Sequence, residues 1–392
     1  MQIYDIIIVG AGPAGANLAR LIDADKYKVL VVDGSIGHDK VCGGLISPDA
    51  QDILARYDIC LPKVLLVSPQ LFSVRTIDLC NGTVKHYRRS YLNADRKKLD
   101  DFFRGLIPDG VKVIKDRCKK VVEIDGGYEV ELHSGDKLSC KYIVGADGAA
   151  GNVRLSLFRE KPLHKYVAIQ QWFPAGDQNP YYSCIFDNDT SSGCSWIFFK
   201  DGKMIFGGAF DMKNCREAFE KQKEKLISQG FVDKNAFDLP QKTEACLVSR
   251  PKLGKGIYTG KGGAFLIGEA AGFISPSSFE GISYALSSGE ALAEAFNRNP
   301  SKKASRILSH YRKKAAKLKF KINLRCVKRP FMYNRLLRSA VMKSGLTAIK
   351  IKTPKNKYTQ KQSKSSEKLC LYFCARRRLY FNSAPPNFLG EF

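Results

Sequence analysis

The chain enters a Gly-rich turn almost at once, and that turn narrows its possible folds more than any other feature. Residues 3–9, IYDIIIV, form a continuous apolar run leading into Gly10-Ala11-Gly12-Pro13-Ala14-Gly15. An apolar run bounded by Gly reads as a parallel strand buried on both faces. Residues 14–22 fit a helix, and KVLVVD (28–33) a second strand, so the spacing predicts a βαβ unit. In such a unit Gly10 permits the tight turn and Gly12 lets the backbone approach a pyrophosphate. Gly15 lets helix pack closely on strand, while Pro13 and Ala14 open a helix whose N-terminus faces the phosphates. Asp33 closes the second strand, where an acid accepts hydrogen bonds from ribose hydroxyls.

Far downstream, residues 262–286 read GGAFLIGEAAGFISPSSFEGISYAL. They predict a strand (264–269), a sharp Gly turn, a Pro-Ser loop and a helix from near Ile282. A short nucleotide needs no second Gly-rich turn so distant in the chain. FAD does, because its two ends require separate cradles. Glu269 at the strand end can accept hydrogen bonds from the sugar-alcohol chain of a flavin. A helix N-terminus at Gly281 and Ile282 would place positive dipole at the flavin pyrimidine edge and favour the anionic reduced ring. GADG (145–148), with Asn152 and Arg154 following, fits either a third cofactor turn or a plain hairpin turn.

Between these segments, residues 95–107 read as helix and 111–124, 128–132 and 141–147 as strands. From about 165 to 250 the pattern turns β-rich, with one helix near 215–229. The expected fold is α/β. A Rossmann-like FAD-binding domain with a parallel sheet is assembled from 1–70, 96–160 and 255–300. It is interleaved with an antiparallel β-rich substrate domain, 71–95 and 161–254. Basic helices (301–345) and a tail without expected structure (346–392) complete the chain.

Charge separates the last quarter from the rest. The net charge is +26, but residues 301–392 hold 25 Lys/Arg and two acids, while the first 300 residues hold 39 and 36. The body is nearly neutral, and only the final quarter calls for an anionic surface. Ala304, Ile307, Leu308, Tyr311, Ala315, Leu318 and Ile322 follow helical spacing, with Lys313, Lys314, Lys317, Lys319 and Lys321 around them. That helix fits two situations: lying on an anionic membrane through 301–330, or packing its apolar stripe on the body with a solvated basic face. No aromatic-interleaved module predicts specific nucleic-acid binding. Twelve scattered cysteines without a CxxC pair predict reduced thiols in a cytoplasmic setting, at the inner face of the membrane if the basic helix docks there. The start of the chain predicts no secretory leader. Five dispersed histidines predict no metal site.

Taken together, Gly10/Gly12/Gly15 with Asp33, the GADG with Arg154, and the GEAAG segment resemble the three fingerprints of the p-hydroxybenzoate-hydroxylase-type flavoproteins. DKVCGGLISPDA (39–50) and CSWIFFKDGKMIFGGAF (194–210) resemble the geranylgeranyl-reductase branch. RRSYLNADR (88–96), KYVAIQQWF (165–173), YYSCIFDN (181–188) and 266–286 are similar to the bacterial CbrA-type oxidoreductases. The resemblance covers roughly residues 3–345. It implies that Arg96, Asp147 and Gly148 contact FAD, and that the Cys42-Gly43-Gly44 loop approaches the flavin. It departs at Glu269, where the branch carries Asp, and at Asn152, where it carries Ser. Cys42 is a candidate proton donor or a packing residue beside two required glycines. Trp172 and Trp196 are candidates for an apolar substrate pocket or for sheet packing.

The expected activity is reduction of a carbon–carbon double bond in a small apolar, isoprenoid- or lipid-like substrate. Hydride would come from reduced flavin, and electrons from an external donor such as NAD(P)H. Two other activities fit the same residues: an FAD-dependent monooxygenase on the same scaffold, and a basic membrane- or polyanion-binding flavoprotein without turnover.

Overall fold

The computed structural model describes residues 3–36, 41–175, 178–299 and 303–351. The tail beyond Ile351, with Asp39 and Lys40 of the DKVCGG run, lies outside them. Eight helices are described: α1 (Pro13–Leu21), α2 (Pro48–Arg56), α3 (Arg96–Gly105), α4 (Asn152–Leu157), α5 (Cys215–Ser228), α6 (Ile282–Asn297), α7 (Ala304–Tyr333) and α8 (Arg335–Ser344).

The first sheet is built around Ile3–Val9. This strand runs parallel to Val29–Val32 on one side and to Lys137–Gly145 on the other. Lys112–Ile114 and Ala264–Leu266 extend the parallel set at either end. Ile6, Ile7 and Ile8 are fully buried, as a strand covered on both faces requires. The apolar run read as one strand over 111–124 is two strands, Lys112–Ile114 and Cys118–Ile124. The second turns away to pair antiparallel with Gly127–Leu132. The polar stretch at 115–117 permits that break. Downstream, the strand expected over 264–269 stops at Leu266, and Gly268–Ala271 form a tight 3-10 turn.

The second sheet runs in the order 242–249, 165–174, 203–210, 195–200, 181–186, 73–78, 83–87 and 348–349. Its pairs are antiparallel except that Tyr181–Phe186 and Ser73–Asp78 run parallel. Residues Ala348 and Ile349 pair with Tyr87 and His86, so the sheet reaches past 346, where the tail was expected to begin. Period-two alternation divides its residues between two environments. Ile185, Ile197, Phe199 and Phe206 pack with Phe219 and Leu226 of α5. Tyr182, Trp196 and Phe198 take the opposite face.

Helix α7 resolves the two situations its sequence allowed for the 304–322 stripe. Ile307, Tyr311, Ala315 and Ile322 are fully buried against the first sheet's core, and Tyr311 donates to the Leu266 carbonyl at 2.8 Å. The stripe packs on the body because it meets an apolar core that water would otherwise cover. Pro330 stands in the last turn of α7, and Asn334 caps α8 by accepting from the Leu336 and Leu337 amides. Among the described residues no helix is long and apolar enough to cross a membrane.

Candidate cofactor and substrate cavity

One cavity of about 600 Å³ lies between the two sheets. Gly12, Pro13, Ala14, Cys42, Gly43, Arg96, Gly148, Glu269, Gly281 and Ile282 all line it, as does Trp196. The sequence-distant turns therefore converge on one space.

The three glycines of the first turn occupy different environments. A Cβ on Gly15 would sit 1.9 Å from the Gly10 carbonyl oxygen, and one on Gly10 (φ +98°) 2.7 Å from the Ala146 oxygen. These two residues hold strand, helix and neighbouring turn together without lining the cavity. A Cβ on Gly12 would meet no protein atom within 4 Å, and the same holds for Gly148. Both line the cavity, so the open space beside their backbone is a cradle that a side chain would fill. Asp33 lies outside the lining. Its carboxylate accepts from the Ser35 hydroxyl at 2.7 Å and lies 3.4 Å from Arg104.

GADG is not a hairpin: the strand Lys137–Gly145 leads through it into α4. Asp147 supports the turn from behind the lining. Its Oδ2 accepts from the Val153 amide at 3.1 Å, while Oδ1 is buried without a hydrogen-bond partner in the structure. Burial raises this carboxyl to about 6, with the Val153 amide pulling the other way. Arg154 ties the same segment to the downstream turn, donating to the Ala270 and Lys161 carbonyls at 2.7 and 2.8 Å. Burial lowers this guanidinium to about 10.

At the third turn, Glu269 Oε1 accepts from the Ser249 amide at 2.7 Å. Gly281 is the N-cap of α6 and Ile282 its first residue, so the helix start faces the cavity. Arg250 braces the loop before it. Its side chain is fully buried and donates to the Pro276 and Ser192 carbonyls at 2.9 and 2.6 Å. It also lies over the rings of Tyr333 and Phe279. Phe279 lines the cavity with a left-handed φ of 55°, a strained conformation for an aromatic residue.

The Cys-Gly-Gly loop and the RRSYLNADR segment prove to be one substructure. Leu45–Ile46 pairs with Leu92–Asn93, and the Ala94 amide donates to the Gly44 carbonyl. Gly44 has φ +64°, and a Cβ there would lie 2.3 Å from the Ala94 oxygen, so it serves the turn and stands behind the lining. Arg96 forms a buried two-pronged ion pair with Asp100 at 2.9 and 3.0 Å and also bonds the Cys42 side chain. Burial opposes its charge, but Asp100 and Cys42 raise its pKa above the usual arginine value. Lys200 reaches the same loop from the second sheet and donates to the Ala94 carbonyl. Burial lowers it to about 8, while Cys42 and Asp95 favour its charged form.

Sequence reasoning did not reach Lys200, Arg250 or Glu280. Glu280 lines the cavity and accepts from Arg89 at 2.8 Å and from the Tyr91 hydroxyl at 2.6 Å. Nothing near it in the chain announces those partners. Lys200 carried one signal: a lysine ending the apolar strand SWIFF. Trp172 does not line the cavity. Its indole N–H donates to Glu244 at 2.8 Å, the carboxylate that also accepts from cavity-lining Gln170.

The two sheets, the three Gly turns and the shared cavity make up a mixed α/β fold like that of FAD-binding flavoproteins. No family model matches the chain. A solved structure described as geranylgeranyl bacteriochlorophyll reductase-like, from Thermoplasma acidophilum, superposes with a TM-score of 0.71 at 19% identity, covering 92% of this chain and 96% of that one. A Pseudomonas aeruginosa structure, described as "a probable FAD-dependent monooxygenase", gives 0.65 at 16% identity, covering 87% and 100%. Among curated proteins, CbrA of Escherichia coli K12 is 40% identical over 358 residues, 89% of this chain and 99% of its own length. The chain belongs to the CbrA family.

Proposed function

We propose that this protein is an FAD-dependent oxidoreductase that reduces a carbon–carbon double bond in an apolar, isoprenoid- or lipid-like substrate. The observation that carries it is the continuity of the cavity. Its Gly12, Gly148 and Gly281 end is walled by backbone, and its second-sheet end by Tyr182, Trp196, Phe198 and Ile169. Backbone amides and a helix start suit a charged, extended cofactor, whereas aromatic walls suit an apolar ligand.

The residues present fit FAD: Gly12 and Gly148 leave the cradle open, and the α6 start at Gly281 and Ile282 faces the same space. Gly12, Pro13 and Ala14 would hold the ADP half, with Gly10 and Gly15 shaping their turn, and Asp33, outside the lining at the end of the second strand, would meet the ribose. Glu269, Gly281 and Ile282 would hold the ribityl chain and ring. When bound, the flavin supplies hydride, taken from an external donor such as NAD(P)H.

The chain's own residues bind, orient and move a proton. The second-sheet aromatics exclude water from the apolar ligand. Arg96 bonds the Cys42 side chain and holds it beside Gly43 at the cavity wall. A thiol there can donate a proton to the substrate carbon. Arg250 keeps the 276–281 loop against the α6 start.

The test is the absorbance spectrum of the purified protein with added FAD, followed by anaerobic reduction and reoxidation with polyprenyl lipids. Lipid-dependent reoxidation without oxygen supports the reductase. Rapid NAD(P)H consumption that needs oxygen and yields peroxide or hydroxylated product points to a monooxygenase. A protein that takes up no FAD overturns both.

A further inference from the structure

Helix α7 carries two apolar stripes, and the body uses only one. Phe320, Leu324, Val327 and Phe331 follow i, i+4, i+7, i+11 spacing, which places them on one face. At 100° per residue that face points opposite the buried Ile307, Tyr311, Ala315 and Ile322. The four are 71, 48, 54 and 52% exposed. Leu336 of α8 (79%) and Leu346 beyond it (70%) are exposed as well. Of the 19 exposed large apolar side chains among the described residues, nine fall within 320–351, far more than scattered surface apolar residues would give.

The charge around this stripe selects its partner. Residues 303–351 contain 15 Lys/Arg and no Asp or Glu. Lys317 and Lys313 stand exposed one and two turns before Phe320, and Lys328 beside Val327. A second copy of the chain would bring the same positive charge onto itself. The chain's own residues 352–392, with nine Lys/Arg and two acids, would do likewise. A nucleic acid would match the lysines but give the Phe320–Phe331 stripe no apolar contact. An anionic bilayer matches both, because lysines meet headgroups while the stripe enters the acyl boundary.

We propose that the outward face of α7 and α8 docks on an anionic lipid bilayer, lying in its surface with the Phe320–Phe331 stripe inserted. The placement has a consequence for the cavity. Arg325, Lys328 and Met332 line it from the flank of α7, between the inserted and the packed faces, and the exposed Arg88 and Lys328 mark its mouth. Docking therefore brings the cavity mouth to the membrane surface, where an apolar lipid is found. That last step rests on the proposed function; the docking does not.

The test uses the full chain with vesicles of equimolar phosphatidylglycerol and phosphatidylcholine, against vesicles of phosphatidylcholine alone. Co-sedimentation is expected with the mixed vesicles and not with the neutral ones, and high salt weakens it. The double variant F320S/F331S and, separately, K313Q/K317Q are each expected to weaken binding roughly tenfold or more. All four positions are exposed, so folding and FAD uptake should be retained. As an independent readout, a Phe320→Trp chain should lose fluorescence against vesicles with brominated acyl chains. Equal binding to neutral vesicles, unchanged binding by F320S/F331S, or no quenching overturns the proposal. So does a dimer in sedimentation velocity that F320S/F331S dissociates without vesicle binding, or duplex DNA binding that survives the Phe substitutions in place of lipid binding. Loss of vesicle binding with flavin uptake intact would sink the docking alone; the converse would sink the flavin function alone.

Discussion

The two ends of the cavity are made of different material. At the first sheet the wall is backbone: Gly12, Gly148 and Gly281, each at the junction of a strand or loop with a following turn or helix. At the second sheet the wall is side chain: Tyr182, Trp196 and Phe198, standing on adjacent strands. A backbone wall recognises a charged, extended ligand through amides and helix starts, and tolerates no extra atoms. A side-chain wall sets shape and apolarity, and its residues can be exchanged with graded loss. Cofactor binding and substrate choice should therefore respond differently to substitution.

The largest effect is expected where backbone meets backbone. Gly15→Ala places a methyl 1.9 Å from the Gly10 oxygen and should leave little folded protein, read by circular dichroism and yield of soluble chain. A G15A chain that melts like the parent would break the claim that helix–strand contact fixes this turn. Phe198→Ala, at 1% exposure on the substrate side, should cost about 3–5 kcal/mol in denaturant unfolding while FAD uptake persists.

Next comes Asp147, whose carboxyl burial raises to about 6. Its folded-state proton is held more tightly than in the unfolded chain. Its contribution is thus complete below about pH 4 and lost as pH rises through 6. Asp147→Asn should stabilise the flavin-free protein by roughly 2–3 kcal/mol at pH 8 and by almost nothing at pH 4, read as melting temperature against pH. A gain that is the same at both pH values would show that charge is not the cause.

The smallest effects on stability sharpen the comparison most. Gly12→Ala adds a Cβ that meets no protein atom, so the melting temperature of the flavin-free protein should hold while FAD affinity falls at least about tenfold. Trp172→Phe removes a hydrogen bond to Glu244 from a residue that does not line the cavity. It should shift stability by about 1 kcal/mol and leave substrate dependence unchanged in steady-state assays.

The backbone end was legible in the sequence because its information is local. Gly10, Gly12 and Gly15 lie within six residues, in one strand–turn–helix pattern that the chain displays whole. Gly44 and the α6 start at Ile282 were legible on the same ground. Residues grouped as one site nevertheless divide: Gly10, Gly15, Asp33, Gly44 and Asp147 stand behind the lining, while their neighbours form it. Nothing in spacing separates a glycine that packs from a glycine that leaves room, since both are simply glycine.

The charged partners were hidden for another reason. Glu280 meets Arg89 and Tyr91 across about 190 residues of chain, and Lys200 reaches the Ala94 carbonyl from the other sheet. Such pairs exist only once two sheets are stacked. Helix α7 shows the same limit within one element. Its sequence displayed the stripe at 304–322, and only packing revealed that this stripe is consumed by the body while the Phe320–Phe331 stripe faces outward.

By itself, then, the sequence determined the α/β fold, the order of its elements and the turns that rest on backbone geometry. Hydrophobic periodicity and glycine act over a few residues, and a single chain states them directly. The tertiary structure alone decided which glycines face the cavity, which ion pairs brace it and which side of α7 is left to solvent. Those outcomes depend on distances between segments far apart in the chain, and such distances are set only when the core closes.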